Sequence, residues 1–354
     1  MAILQLKRVG GRTTFRLTRP PVSGVLRPWL WLVCLGLAAG TFLVFCLGIG
    51  IGDYPLALPD VIRALWGSGD EYSLLVVREL RLPRAVVALL VGAAFGMSGA
   101  LLQTITRNPL ASPDIIGINQ GAGTAVVGGI VLGLGSGLGT QVLGLAGGLA
   151  AALLIYLLAW KRGVSGYRLV LIGIGVSWVC VATTDYLMTE AHIYQAQEAM
   201  GWLVGNLNGR DMDYARPLAL AMLVLVPAAL ILSRWMRTLQ LGDETARGLG
   251  TPVQLTRLAL LLTSVGLAAF GTAAAGPVMF VALAAPQIAQ RLCRQSSPPP
   301  VASALTGSLI ILGSDIIARQ LLTHTELPVG VVTGAFGAPF LLWLLARANR
   351  ANVA

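Results

Sequence analysis

The chain has 354 residues, 56% of them hydrophobic and only 11% charged, with a mean hydropathy of +0.77. Soluble domains carry about 25% charged residues, so this composition excludes an ordinary soluble fold and places the chain in a bilayer. A formal charge of +10 would suggest a nucleic-acid partner on a soluble protein, but on a membrane protein it first needs a place in the topology.

Residues 1–28 are basic, contain Pro20 and Pro21, and read as an unstructured cytoplasmic tail rather than a cleaved signal. A bilayer crossing takes about 20 apolar residues. On that measure ten spans follow, at 29–51, 84–106, 114–134, 140–160, 168–189, 214–235, 256–275, 277–293, 300–322 and 327–346. Two of the divisions are inferred, because 115–160 and 258–290 are long and free of charge. The Gly-rich run 133–139 and Gly276-Pro277 are the natural breaks. Residues 348–354 form a second short tail.

An even count puts both termini on one side. With the N-terminus cytoplasmic, 18 of the 25 Lys and Arg lie inside, whereas of the 15 acids only Asp114, Asp243 and Glu244 do. That is a positive-inside pattern, and it accounts for the net charge through topology and contact with anionic lipid, without nucleic acid.

Several chemistries are missing. Both lysines, Lys7 and Lys161, are followed by Arg, so a phosphate-binding P-loop cannot be built. Two histidines and four scattered cysteines give no metal-ligand spacing. Asp185 and Asp315 are the chief ionisable groups within spans, and both fall near outer helix ends, where they read as interfacial. The sequence therefore has neither the midplane acids of an ion-coupled secondary transporter nor a catalytic constellation.

Five segments carry more information. Arg81-Leu-Pro-Arg84 reads as a span beginning at Pro83 with two arginines at the outer surface, either as interfacial anchors or as forks for an acidic partner. Around 107–117, Ser112-Pro113-Asp114 reads as a helix N-cap, a first-turn proline and an acid near the helix start. The inner loop 238–257 holds Gly242, Asp243, Glu244, Ala246, Arg247, Leu249 and Gly250. It reads as two short helices, capped by Asp243 and restarted at Thr251-Pro252, that form a cytoplasmic knob or an interfacial helix. Residues 190–213 read as an interfacial helix containing Trp202. Small-residue runs such as Gly92–Gly99 read as helix-packing faces.

Together Arg81–Gly121, Gly201–Gly209, Leu241–Gly250, Gly276–Arg291 and Asp315–Leu345 resemble the FecCD/BtuC-type permease family, with particular similarity to ferric-enterobactin permease subunits. The resemblance implies an all-α, ten-helix permease in a bacterial inner membrane. A second permease, a paralogue or a copy, would sit beside it. Two cytoplasmic ATPase subunits would carry ATP and Mg, and a periplasmic or lipid-anchored binding protein would deliver a ferric siderophore, or else vitamin B12 or haem. It further implies docking of that binding protein at Arg81, Arg84 and Arg319, and coupling to the ATPase through Gly242–Gly250. Gly173, Gly175, Ser177, Gly334 and Gly337 would lie along the translocation pathway, and this subunit would hold no cofactor or metal. One departure is Gln287, where relatives commonly carry His.

Overall fold

The computed structural model describes residues 4–9, 12–17, 22–25, 27–52, 56–134, 138–161, 165–321 and 326–353. The N-terminal segment departs from the expected unstructured tail. Strands β1 (Leu4–Val9), β2 (Arg12–Leu17) and β3 (Val22–Val25) pair as an antiparallel meander, with Phe15 opposite Leu6 and Gly24.

The rest is helical. Pro28 opens α1 (Pro28–Gly50), where a missing N–H costs nothing. Next come α2 (Leu58–Leu65) and α3 (Glu71–Leu74), and α3 continues through a π-helical segment, Leu75–Arg81, into α4 (Leu82–Thr106). The helix therefore starts at Glu71 and runs through Pro83, well before the expected start at 84; the wider π hydrogen-bonding lies just ahead of the residue that has no N–H to give. Then follow α5 (Pro113–Ile116), α6 (Ile118–Val131), α7 (Leu138–Ala159), α8 (Gly166–Glu190) and α9 (Ile193–Leu203). The chain closes with α10 (Met212–Gln240), α11 (Asp243–Gly248), α12 (Val253–Ala275), α13 (Val281–Leu292), α14 (Pro300–Gln320) and α15 (Val329–Val353).

Seven helices among the described residues are long and apolar enough to cross a membrane. The other three expected spans are shorter. The third is split by Gly117, at φ 99°, into α5 and the 14-residue α6; the eighth is the 12-residue α13; the tenth contributes the apolar stretch Val329–Leu344. Backbone that stops short of a full crossing must be covered by protein, because hydrocarbon supplies no hydrogen-bond partners.

Helix α4 is the hub, packed on α10, α12, α13 and α14. Its apolar window is 78% buried, against 22% for α1 and 11% for α8. Small residues make this possible. Gly92 and Gly96 lie against the backbone of Gly307, Ser308 and Ser303 in α14, and Gly99 lies against Ala282. Hydroxyls fasten the same contacts: Ser308 Oγ donates to Leu89 O (2.7 Å) and Ser98 Oγ to Ser264 O (2.7 Å).

A methyl-bearing side chain at Gly96 must push α14 away, whereas at Gly36 nothing lies within 4 Å. Gly96→Val is expected to cost about 1–3 kcal/mol by overpacking. In a detergent thermal-unfolding assay it should lower the midpoint clearly, with Gly36→Val close to wild type.

Candidate functional site

Two faces carry the candidate residues. One is where α1 begins, α4 ends and α11 sits, with Trp29 Nε1 donating to Leu292 O (2.8 Å). The opposite face is where α1 ends and α4 begins, with Arg319 Nη2 donating to Gly48 O (3.0 Å).

On the first face α11 forms a single short helix, not two. Gly242 (φ 106°) precedes it, and Gly250 (φ 78°) closes it as a Schellman turn, with Thr251 N–H bonding to Ala246 O and Gly250 N–H to Arg247 O, both 2.9 Å. After Thr251-Pro252 the chain enters the long α12 directly. Ala246 is fully buried beneath the turn, while Glu244, Arg247 and Leu249 face outward. Asp243 does not cap its own helix. Its carboxylate bonds Arg107 Nη2 (2.5 Å) and Arg257 Nη2 (3.0 and 3.1 Å), so the knob is tied to the ends of α4 and α12. Arg107 reaches it from a left-handed conformation, φ 52°, in which glycine is the usual residue, and also donates to Leu239 O (2.9 Å). Burial works against the charged form of Asp243. The charge of Arg257, then its hydrogen bond and those of Arg107, outweigh burial and hold the carboxyl below the usual carboxylate range.

On the opposite face Arg81, Arg84 and Arg319 come together, but not as free forks. Arg84 pairs with Asp315 (3.0 Å) and Glu326 (2.8 Å), and Arg319 pairs with Asp315 (3.2 Å) and donates to Ile51 O (3.1 Å). Arg81, only 7% exposed, donates to Ile49 O and Gly50 O, both 3.2 Å. Asp315 is 3% exposed, so it is a buried ion-pair centre and not the interfacial acid expected. Asp185 is exposed. The three arginines, with Arg210, line an open depression of about 380 Å³ in which Glu79, Asp211 and Glu326 also stand. Their first role is thus to hold α1, α4 and α14 together.

The pathway glycines divide. Gly175 and Gly334 have open space around a would-be Cβ. Gly173 is pressed against Ile116 and Gly337 against Phe280, so these two are packing contacts within the subunit and not wall positions. Ser177 Oγ donates to Gly173 O (2.7 Å) and lies over Gly117.

Asp114 does more than start its helix, because polar contacts join α5 and α6 to α12. Asp114 accepts from Asn119 Nδ2 (2.5 Å), and Thr272 Oγ1 donates to Asn119 Oδ1 (2.7 Å). Gln287 Nε2 donates to Gln103 Oε1 (2.7 Å), an amide pair where an imidazole is common. The expected interfacial helix 190–213 is α9, whose Trp202 is 5% exposed and packs into the fold rather than on its surface. His192 begins α9, and His324 lies outside the described residues. Among the described residues no three His, Cys, Asp or Glu gather as metal ligands.

A family profile, the FecCD transport family, matches residues 40–347. The chain belongs to that family. It is 40% identical over 322 residues to the ferric enterobactin transport system permease protein FepG of Escherichia coli, covering 91% of this chain and 97% of that protein. It is 42% identical to the achromobactin transport system permease protein CbrC of Dickeya dadantii (86% and 88% covered). To the vitamin B12 import system permease protein BtuC of Citrobacter koseri it is 35% identical (80% and 87% covered). A solved inward-facing metal-chelate type ABC transporter superposes with a TM-score of 0.78 at 26% identity, covering 89% of this chain and 99% of that one. This FecCD member is a multi-pass membrane permease subunit of an ABC importer.

Breaking a buried pair leaves an uncompensated charge and costs about 3–5 kcal/mol, whereas an exposed pair contributes under about 1 kcal/mol. Arg84→Ala should therefore lower the unfolding midpoint far more than Arg63→Ala, whose partner Asp60 is exposed.

Because the Asp243 carboxyl titrates below its unfolded value, the tie is present above the usual carboxylate range and is lost as pH falls through the lowered folded value. Asp243→Asn should reduce hydrogen-exchange protection of residues 242–250 at neutral pH, and its difference from wild type should vanish in acid.

Proposed function

We propose that this permease imports a ferric siderophore, driven by ATP and Mg bound on partner ATPase subunits. The observation that carries the mechanism is the α11 knob, tied by Asp243 to Arg107 and Arg257 and presenting Glu244, Arg247 and Leu249 outward. Such a rigid protrusion receives force from a soluble motor and passes it to α4 and α12. The knob face is cytoplasmic on this reading, with both termini, which the distribution of Lys and Arg supports.

An acidic binding protein docks at the opposite face, at the rim of the depression lined by Arg81, Arg84, Arg210 and Arg319. Its carboxylates meet a network already balanced by Asp315 and Glu326, so docking exchanges ion pairs rather than filling vacant ones. The pathway runs against a second permease, a paralogue in the favoured arrangement, past Gly175 and Gly334. Substrate class follows the relatives: FepG and CbrC are named for enterobactin and achromobactin transport. The similarity to BtuC supports vitamin B12 as the second reading.

Uptake of radiolabelled iron presented as ferric enterobactin, with labelled vitamin B12 in parallel, is compared in cells with and without the gene. Loss of iron uptake alone supports the siderophore reading. Loss of B12 uptake transfers the substrate to the second reading, and no change in either sinks both.

A further inference from the structure

The segment between α4 and α6 touches both ends of the machinery. At its start Arg107 is held by Asp243 of the knob and by Leu239 O. The connection is not slack: Asn108 Oδ1 accepts from Leu110 N–H (2.9 Å), Ala111 N–H bonds to Asn108 O (3.2 Å), Pro109 and Pro113 fix their φ, and Ala111 and Ser112 are 1% exposed. At its far end the Asp114 carboxylate accepts from Asn119 Nδ2 at the start of α6, and Asn119 is itself fixed by Thr272 of α12.

The backbone of α5 bears on α8, through Ile116 against Gly173 and Gly117 beneath Ser177 Oγ. One short stretch thus joins the knob to a helix expected along the pathway.

We infer that residues 107–114 are a strut that carries movement of the α11 knob to α8, with Asp114 as its positioning residue. The inference rests on the importer reading above and adds the route by which force reaches the pathway. No ion pair to Asp114 occurs among the described residues; its carboxylate is met by the Asn119 amide. Removing the carboxylate strands that donor and frees α5 from the start of α6.

The test uses the assembled transporter in proteoliposomes, with its partner permease, ATPase and binding protein. Uptake of ferric enterobactin is measured per ATP hydrolysed. Asp114→Ala is expected to lower that ratio about tenfold, within the range that coupling residues command. Asp114→Asn keeps one acceptor and should fall between Ala and wild type. If Arg107 and Asp114 act on one strut, Arg107→Ala combined with Asp114→Ala loses no more than the worse single variant. A residue that only stabilises the fold would reduce the amount of transporter and leave the ratio unmoved.

A second readout is independent of substrate: spin labels at Leu249→Cys and Trp178→Cys, both exposed positions, on a background with the four native cysteines replaced by Ser. Nucleotide should shift this distance in the wild-type strut and not in Asp114→Ala. An unchanged coupling ratio, or a nucleotide response that survives Asp114→Ala, overturns the strut. A wild-type nucleotide response without ferric enterobactin uptake overturns the substrate while the strut stands. If wild type shows no nucleotide response, both fall.

Discussion

In hydrocarbon an unpaired N–H or C=O has no water to turn to, so a membrane chain can interrupt its helices only where other protein supplies the missing partners. The arrangement of this permease follows from where its interruptions are placed. The α12–α13 break begins at Gly276, and Asn206 N–H answers it by bonding to Ala275 O (2.8 Å). The loop after α9 passes so close that a Cβ on Gly205 would meet Pro277 O, and Gly330 N–H in turn bonds to Gly205 O (3.1 Å). Just before the break, Thr272 Oγ1 of α12 donates to Asn119 Oδ1 at the start of α6 (2.7 Å). Three broken stretches, from α5–α6, from the end of α9 and from α12–α13, therefore have to meet in one place, and the start of α15 meets them there.

Ion pairs extend the same logic to the two faces. A buried guanidinium needs carboxylates or carbonyls around its fork: Arg84 has two carboxylates, Arg81 two carbonyls and Arg319 both kinds. Arg319 spans Asp315 and the carbonyls of Gly48 and Ile51, fastening α14 to the end of α1. Arg257, 8% exposed at its side chain, pins Asp243 from α12, and Arg107 does so from α4. The basic residues are therefore not all of one kind, since a few are sunk into the body as fasteners.

The long spans could be read from the sequence because a crossing needs a length of apolar residues that little else in a chain requires. The seven full-length helices and their order follow from that alone. The short ones are less visible: α13 has 12 residues with Pro286 inside, and only its burial shows that protein rather than lipid surrounds it. The fate of Arg84 was out of reach, since its partners Asp315 and Glu326 stand 231 and 242 positions away and local sequence holds no trace of the pairing. Gly173 and Gly175 look alike in a list of residues. Two positions along a helix turn the side chain by about 200° at 3.6 residues per turn, so one faces the subunit and the other away from it. Family resemblance gave the helix, and only packing divides its faces.

That division also says which parts are free to move. Helices α4, α12 and α14 have 78%, 72% and 61% of their apolar windows buried; α4 and α14 are joined through glycine contacts that tolerate no sliding without backbone collision, and α4 and α12 through the Ser98 and Ser264 hydroxyls. In α8 the figure is 11%, and Trp178, Val179 and Tyr186 stand more than half exposed; α15 likewise leaves Phe336 and Leu342 bare. Elements with few internal contacts cost little to displace, and those buried on all sides move only as a body. Helices α8 and α15 can therefore be displaced while α4, α12 and α14 keep their packing. Whatever drives that change must enter through the few places where the loose helices touch the rigid ones, and for these two helices Ile116 on Gly173 and Phe280 on Gly337 are such places.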